Sequence, residues 1–92
     1  ALALSPNDAS VHFNLATALV DVGRGDDAVA HLRDAVRLDP GHWKARYLLG
    51  GLLVQRGRID EALVQFREVV RLDPRNEAAG EWVRRIEARL GR

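Results

Sequence analysis

The sequence contains no cysteine and no methionine among its 92 residues, and aromatic residues make up only 5% of it. Without cysteine the chain can form no disulfide, no thiolate zinc site and no thiol nucleophile. The formal net charge is +1, too small for a long-range field that gathers nucleic acid or an anionic membrane. No apolar run approaches the roughly 18 residues that span a bilayer, and the N-terminus lacks the pattern of a secretion signal. These absences favour a protein or peptide partner over nucleic acid, a membrane or a small-molecule substrate. They leave the compartment open, with the cytoplasm slightly favoured over the periplasm.

The main positive feature is a repeat of 34 residues. The tripeptide Leu-Asp-Pro ends at Pro40 and again at Pro74, and Leu-Ser-Pro ends one repeat earlier, at Pro6. When residues 9–42 are laid over 43–76 without a gap, 13 of the 34 positions are identical. A fixed period of this length indicates supersecondary units that stack on one another.

Each repeat carries apolar residues at helical spacing and no alternating strand pattern. Gly23 and Gly57 are suited to a left-handed residue after a helix, and Asp26 and Asp60 follow them as predicted N-caps of the next helix. The residue before a proline is disfavoured in a helix, so each Leu-Asp-Pro ends the second helix of its repeat. The predicted helices are 9–22, 26–38, 43–56, 60–72 and 77–90, with Asn7 or Asp8 capping the first and Asn76 the last.

We interpret residues 1–92 as one domain. Residues 1–8 end a truncated preceding repeat, 9–42 and 43–76 are complete repeats, and 77–92 form a capping helix. In that helix Ala79, Val83, Ile86 and Leu90 are predicted to face inward, whereas Arg84 and Glu87 replace small or apolar residues of the complete repeats and are predicted to face water. The other end has no such cap, so Leu2, Leu4 and one face of the first helix should be exposed. We therefore expect the chain to be part of a longer protein, or to associate with itself through that edge.

The pattern resembles the tetratricopeptide repeat, whose signature is W-x2-L-G-x2-Y, then A-x3-F, then P within 34 residues. The second repeat has Arg46-x2-Leu49-Gly50-x2-Leu53, Ala62-x3-Phe66 and Pro74, and the first has His12-x2-Leu15-Ala16-x2-Leu19, Ala28-x3-Leu32 and Pro40. The small and proline positions match, while the Trp and Tyr positions do not. The resemblance implies an all-α fold, a right-handed α-solenoid of antiparallel helix hairpins, whose first helices line a concave groove that binds peptides or helices.

Carried over by register, the groove residues implied by the resemblance come from the first helix of each unit. They are Ser10, Phe13, Thr17, Val20 and Asp21, then Lys44, Tyr47, Gly51, Val54 and Gln55, then Ala78, Glu81, Arg85 and Arg89. Phe13 and Tyr47 are candidate aromatic anchors, although each could instead pack against a neighbouring helix. A known mode of the family clamps an acidic C-terminal peptide with Lys, Asn and Arg, but Phe13 and Thr17 stand where that clamp's first Lys and Asn are expected.

No reaction centre is indicated, and we expect neither an enzyme nor a cofactor. The carboxylate pairs Asp26-Asp27 and Asp60-Glu61 lie at helix starts, where capping and the helix dipole explain them. His12, His31 and His42 have no ligand-type partner four residues away, so no metal site is expected. Trp43 and Trp82 are interpreted as packing residues. The alternative for Trp82 is that it is exposed and forms a contact site.

Three functions remain open from the sequence. The first is a peptide-binding scaffold of a larger, bacterial-type protein, supported by the apolar stripe of Phe13, Tyr47 and Val54. The second is an assembly module that dimerises through the uncapped N-terminal edge. The third, an RNA-binding helical array, has the least support because the charge is nearly balanced and no basic face recurs.

Overall fold

A computed structural model describes residues 8–91 of the chain, and every regular element in that range is an α-helix. The helices are α1 (Ala9–Asp21), α2 (Gly25–Leu38), α3 (Trp43–Gln55), α4 (Ile59–Leu72) and α5 (Glu77–Arg89). Their ends lie within one residue of those predicted from the apolar spacing and the Gly and Pro positions. Across these residues, no helix has the length and apolar character needed to cross a membrane.

The helices form a stack of hairpins. α1 packs against α2 and α3 against α4, and α2–α3 and α4–α5 contacts join the successive units. The resulting body is elongated, with extents of 51 × 27 × 18 Å. This arrangement confirms the predicted all-α solenoid.

The turn within each hairpin is closed by a glycine in the left-handed region. Gly23 has φ of 80° and Gly57 has φ of 75°. The Gly23 N–H donates to the Val20 carbonyl, and the Arg24 N–H donates to the Leu19 carbonyl at 2.8 Å. The same two bonds recur after α3, so both turns are Schellman motifs that satisfy the last carbonyls of the first helix. The predicted role of the two glycines is confirmed.

The predicted capping role of Asp26 and Asp60 is wrong. α2 begins at Gly25 and α4 at Ile59, and their N-cap residues, Arg24 and Arg58, make no side-chain capping bond. The Schellman turn is so short that the chain enters the next helix before it reaches the aspartate. Asp26 and Asp60 therefore lie in the first turn of their helices, where the helix dipole still favours a negative charge.

Three other helices have side-chain caps. Asp8 accepts a hydrogen bond from the Ser10 N–H at 2.8 Å, and Asn76 accepts one from the Ala79 N–H at 3.0 Å. Both caps were predicted; the alternative, Asn7, lies outside the described residues. His42 caps α3 by accepting from the Ala45 N–H at 3.2 Å, and this cap was not expected from the sequence.

The core runs through both hairpins and combines large apolar residues with alanines. Its largest buried side chains are Leu32, Leu49, Leu53, Leu63, Phe66 and Val69. Gly50 permits the close crossing of α3 and α4, since a Cβ at this position would lie 2.8 Å from Cζ of Phe66. The core thus depends on a small residue facing a large one.

The two ends of the stack differ. At α1, Leu15 is 44% exposed and Val22 is 70% exposed, as expected for an uncovered edge, while Leu2 and Leu4 lie outside the described residues. On α5, Ala79 and Ile86 are buried, and Val83 and Leu90 are half-buried against the core.

The two charged positions of α5 behave differently from each other. Arg84 is exposed, as predicted. Glu87 does not simply face water: it is half-buried and accepts a hydrogen bond from Arg67 of α4 at 2.5 Å. Glu87, which replaces an apolar residue of the complete repeats, is therefore accommodated by an ion pair between α4 and α5.

Candidate functional site

One face of the stack carries a largely apolar groove to which α1, α3 and α5 all contribute. Its central cavity has a volume of about 250 Å³. The lining residues are Val20, Tyr47, Leu48, Gly51, Leu52, Val54, Gln55 and Trp82. Tyr47, Gly51 and Val54 are spaced by four and three residues, which places them on one side of α3. We call this surface the central groove.

The aromatic side chains of the central groove are held by a ring of the core. Trp82 stacks on Phe66 with ring centroids 5.1 Å apart and planes at 4°. Tyr47 meets the same ring edge-on at 5.5 Å. Because Phe66 is completely buried, these contacts fix both half-buried aromatics while leaving one side of each toward the groove.

Gly51 provides open space in the floor of the central groove. A Cβ at this position would have no neighbour within 4 Å, in contrast to the adjacent Gly50, whose place is filled by Phe66. A side chain at residue 51 would therefore enter the groove without disturbing the core.

A smaller cavity of about 160 Å³ adjoins the central groove at Trp82, and its other lining residues are Ala78, Glu81 and Arg85. Arg85 donates a hydrogen bond to Glu81 at 2.8 Å, and both side chains are largely exposed. This cavity adds a polar, locally charge-balanced surface beside the apolar one.

The other predicted groove residues line neither cavity. The Phe13 ring lies 5.0 Å from the His42 ring at the start of α3, and the Thr17 hydroxyl donates to the Asn14 carbonyl. Ser10, Asp21 and Arg89 are exposed, and the Lys44 ammonium lies 5.8 Å from the centre of the Trp43 ring.

Trp82 lines both cavities, although it was predicted to be a packing residue, with a role as an exposed contact site as the alternative. It does pack, on Phe66, and it also presents surface to the groove. The register carried over from the family pointed to its neighbours Glu81 and Arg85. The sequence signal for Trp82 was only that a large aromatic residue stands beside the inward positions of α5.

Away from the groove, ion pairs join the two hairpins around a cavity of about 200 Å³ lined by Asp26, Val29, Arg33, Leu53, Arg56 and Arg58. Arg56 of α3 donates to Asp26 of α2 at 2.6 Å, and Arg33 of α2 donates to Glu61 of α4. The hydrogen bond from Arg33 holds the pKa of the Glu61 carboxyl below its ordinary value, against a smaller opposing effect of burial.

The structure also brings two histidines together. Nδ1 of His12 on α1 lies 3.0 Å from Nδ1 of His31 on α2, and their rings are tilted by 31°. The carboxylate of Asp34, one turn after His31, lies close enough that one ligand atom from each of the three residues falls within 4.8 Å of the others. The sequence analysis expected no metal site because it considered partners along one helix only.

Known proteins share this sequence pattern and this fold. The family model described as Tetratricopeptide repeat matches residues 13–77. No match was found among curated protein sequences.

Among solved structures, the first tetratricopeptide domain of Spaghetti (RPAP3), bound to the HSP90 peptide SRMEEVD, is 24% identical with a TM-score of 0.86, over 96% of this chain and 70% of that one. The second such domain of human RPAP3, in complex with an HSP70 peptide, is 26% identical with a TM-score of 0.78, over 88% and 68% of the two chains. MamA is 22% identical with a TM-score of 0.86, over 95% of this chain and 51% of MamA.

The family match spans well over half of the residues and includes most of α1 and all of α2, α3 and α4. The sequence period, the hairpin stack and the solved structures agree with it. The chain belongs to the tetratricopeptide repeat family.

Proposed function

We propose that the domain is a protein-interaction scaffold that holds a peptide or helix of a partner protein in its central groove. The two RPAP3 domains that share its fold are bound to HSP90 and HSP70 peptides, so this architecture is able to hold a peptide. The observation that carries the proposal is the cavity of about 250 Å³ between Val20, Tyr47 and Trp82.

The lining of the groove favours an apolar side chain of the partner as the anchor. Tyr47 and Trp82 are already held by the buried ring of Phe66, so a ligand that contacts them orders few additional side chains. Rigid aromatic residues in a desolvated pocket are typical of positions that contribute most to binding.

An acidic C-terminal tail is a poorer fit. Phe13 and Thr17 occupy the positions where the family's carboxylate clamp has its first Lys and Asn, and Phe13 packs on His42. Arg85 lines the adjoining cavity together with Glu81, which already accepts its hydrogen bond. We therefore expect an amphipathic helix or an apolar peptide as the ligand.

The experiment that tests this proposal is selection from a displayed peptide library, with the acidic peptide SRMEEVD as a comparison. Peptides with apolar anchors should be selected and should bind more tightly than SRMEEVD. The variant Gly51→Leu fills the open floor of the groove and should weaken binding of the selected peptides at least tenfold, on the order of one buried apolar contact. The matched control is Ala30→Leu, at an exposed position of α2 outside the groove.

Two results would contradict the groove proposal. One is selection of acidic tails only, with SRMEEVD bound as well as any other peptide. The other is unchanged peptide affinity in Gly51→Leu while its helical circular dichroism stays like that of Ala30→Leu. The circular dichroism comparison separates a blocked groove from a lost fold, since an added Cβ at residue 51 meets no atom within 4 Å.

A second candidate function, self-association, is favoured by the exposed face of α1. Val11, Asn14, Leu15 and Ala18 line a cavity of about 260 Å³ on that face. Light scattering over a wide concentration range should then show a dimer, and Leu15→Glu should convert it to a monomer. A mass that stays monomeric at every concentration would remove this candidate.

The RNA-binding alternative gains no support from the described residues. Eight of the arginines there take part in ion pairs: Arg24, Arg33, Arg37, Arg56, Arg58, Arg67, Arg71 and Arg85. Within the described residues their charge is therefore largely matched by neighbouring carboxylates, which weakens the attraction for a phosphate backbone.

A further inference from the structure

We propose that His12, His31 and Asp34 form a binding site for a divalent first-row transition metal ion, with Ni²⁺ or Cu²⁺ the best fit. The three side chains come from two helices of the first hairpin and are half-buried, so the site is held by the fold and open to solvent. Imidazole with one carboxylate is a donor set suited to these ions.

The distance between the two imidazoles fits a metal with neighbouring ligands at a right angle. Metal–nitrogen bonds to histidine are about 2.0–2.1 Å long, so two ligands at 90° lie about 2.8–3.0 Å apart, whereas tetrahedral ligands lie about 3.3–3.4 Å apart. The Nδ1 atoms of His12 and His31 are 3.0 Å apart as a hydrogen-bonded pair, so a bound metal ion would replace that hydrogen bond with two metal–nitrogen bonds at nearly the same separation. Right-angle ligation is typical of the tetragonal and octahedral geometries of Cu²⁺ and Ni²⁺.

Asp34 supplies the third ligand from the same side of α2 as His31. Residues three apart on a helix are neighbours on its surface. One of its oxygens lies 3.5 Å from Arg37, at the outer limit of a hydrogen bond, and the Arg37 side chain is largely exposed, so the contact is weak. A carboxylate oxygen of Asp34 lies within 4.8 Å of a ring nitrogen of each histidine, so a side-chain rotation would bring it into the coordination shell, which water would complete.

The second hairpin has different residues at the three positions that correspond to the proposed metal ligands. Shifted by 34 residues, His12, His31 and Asp34 correspond to Arg46, Gln65 and Glu68. There the guanidinium of Arg46 donates to the Gln65 carbonyl oxygen at 3.0 Å. The pKa of Glu68 lies below its ordinary value, chiefly through the hydrogen bond from Arg71 and in smaller part through the charge of Arg46.

The second hairpin therefore carries a permanent cation at this place, between an oxygen acceptor and a carboxylate. The first hairpin has the carboxylate but two imidazoles in place of the arginine and the glutamine. The first hairpin therefore leaves this place to a cation that binds reversibly, beside the carboxylate of Asp34. A bound metal would join α1 to α2, as Arg46 joins α3 to α4.

The repeat also provides a matched control. The double variant His12→Arg/His31→Gln places the second hairpin's own residues in the first, which removes both nitrogen ligands and retains a pair known to fit this helix contact. The variant His42→Asn removes the remaining imidazole and keeps a side chain able to cap α3.

The test is calorimetric titration of NiCl₂ and CuCl₂ into protein that carries no polyhistidine tag. The original chain and His42→Asn should each bind one ion per chain with equal affinity, and their thermal unfolding should shift upward. The double variant should bind at least about tenfold more weakly, since even loss of an outer partner of a metal ligand costs about 10–100-fold.

Three results would overturn the proposal: no binding of either ion by the original chain, equal binding by the double variant, or loss of binding in His42→Asn. If the double variant loses its helical circular dichroism, His31→Gln alone replaces it, since Gln65 occupies the corresponding position. In that case, undiminished metal affinity in His31→Gln would contradict the site.

Discussion

Gly50 and Phe66 meet where α3 crosses α4, and a Cβ on residue 50 would lie 2.8 Å from Cζ of the phenylalanine. In the first hairpin the corresponding pair is Ala16 and Leu32, which are both completely buried. One hairpin thus has the smallest residue facing a ring, and the other has a methyl group facing a leucine. The two pairs are alternative solutions to the same packing problem.

Gly50→Ala should therefore destabilise the domain by about 1–3 kcal/mol, because an extra methyl group is forced into a filled core. This loss opposes the gain in helix propensity that alanine normally gives. Urea denaturation measures the difference. The variant Gly50→Ala/Phe66→Leu copies the first hairpin, and its loss should be smaller than the sum of the two single losses. Strict additivity would show that the two residues do not share this space.

The neighbouring substitution Gly51→Ala should have the opposite sign. No atom lies within 4 Å of the Cβ that alanine adds, and the residue is inside α3. Alanine in a helix interior is favoured over glycine by about 0.5–1 kcal/mol. The midpoint of urea unfolding should rise accordingly. A fall in stability would mean that the groove floor is more crowded than the structure shows.

The 34-residue period was sufficient to predict the hairpins because the determinants of each turn are local. A glycine at residue 23 or 57 and a proline at 40 or 74 act on the few residues around them. The error at Asp26 is also local: the Schellman turn makes Arg24 the N-cap, so α2 begins two residues earlier than an N-cap at Asp26 requires.

Contacts between helices were harder to predict. The approach of His12 to His31 and the stacking of Trp82 on Phe66 depend on how each helix is rotated about its axis. The sequence constrains that rotation only through the positions of the apolar residues around each helix. Tyr47, Gly51 and Val54 were predicted as groove residues because they share one side of α3, and the structure places them around one cavity.

Gly57→Ala should destabilise the domain by about 1–2 kcal/mol, the cost of a left-handed conformation for a residue with a Cβ. Gly57 has φ of 75° and no neighbour within 4 Å of an added Cβ, so backbone strain is the sole source of the loss. Gly57→Asn should lose less, because asparagine tolerates this region. Gly41→Ala is the control, because Gly41 does not have a positive φ. The unfolding free energy of this variant should stay within about 0.5 kcal/mol of that of the original chain. Equal losses at residues 57 and 41 would contradict the assignment.

The ion pair between Arg33 and Glu61 should make the stability of the domain depend on pH. The pKa of Glu61 in the folded chain lies below its ordinary value, chiefly because Arg33 donates a hydrogen bond to the carboxylate. The folded chain therefore holds this proton less tightly than the unfolded chain, and the pair stabilises the fold at pH values above the ordinary pKa. That contribution is lost as the pH falls through the lowered pKa of the folded state.

The variant Glu61→Gln isolates this effect. At neutral pH it should be less stable than the original chain by about 0.2–1 kcal/mol, the range for ion pairs that remain accessible to solvent. Their unfolding free energies should converge as acid is added, and the gap at neutral pH should narrow in high salt because the charges are screened. Arg33→Gln should show the same convergence, and Arg33→Gln/Glu61→Gln should lose less than the two single variants together. A stability gap that stays constant or widens in acid would show that Glu61 contributes through packing instead, since only the charged pair is removed by protonation.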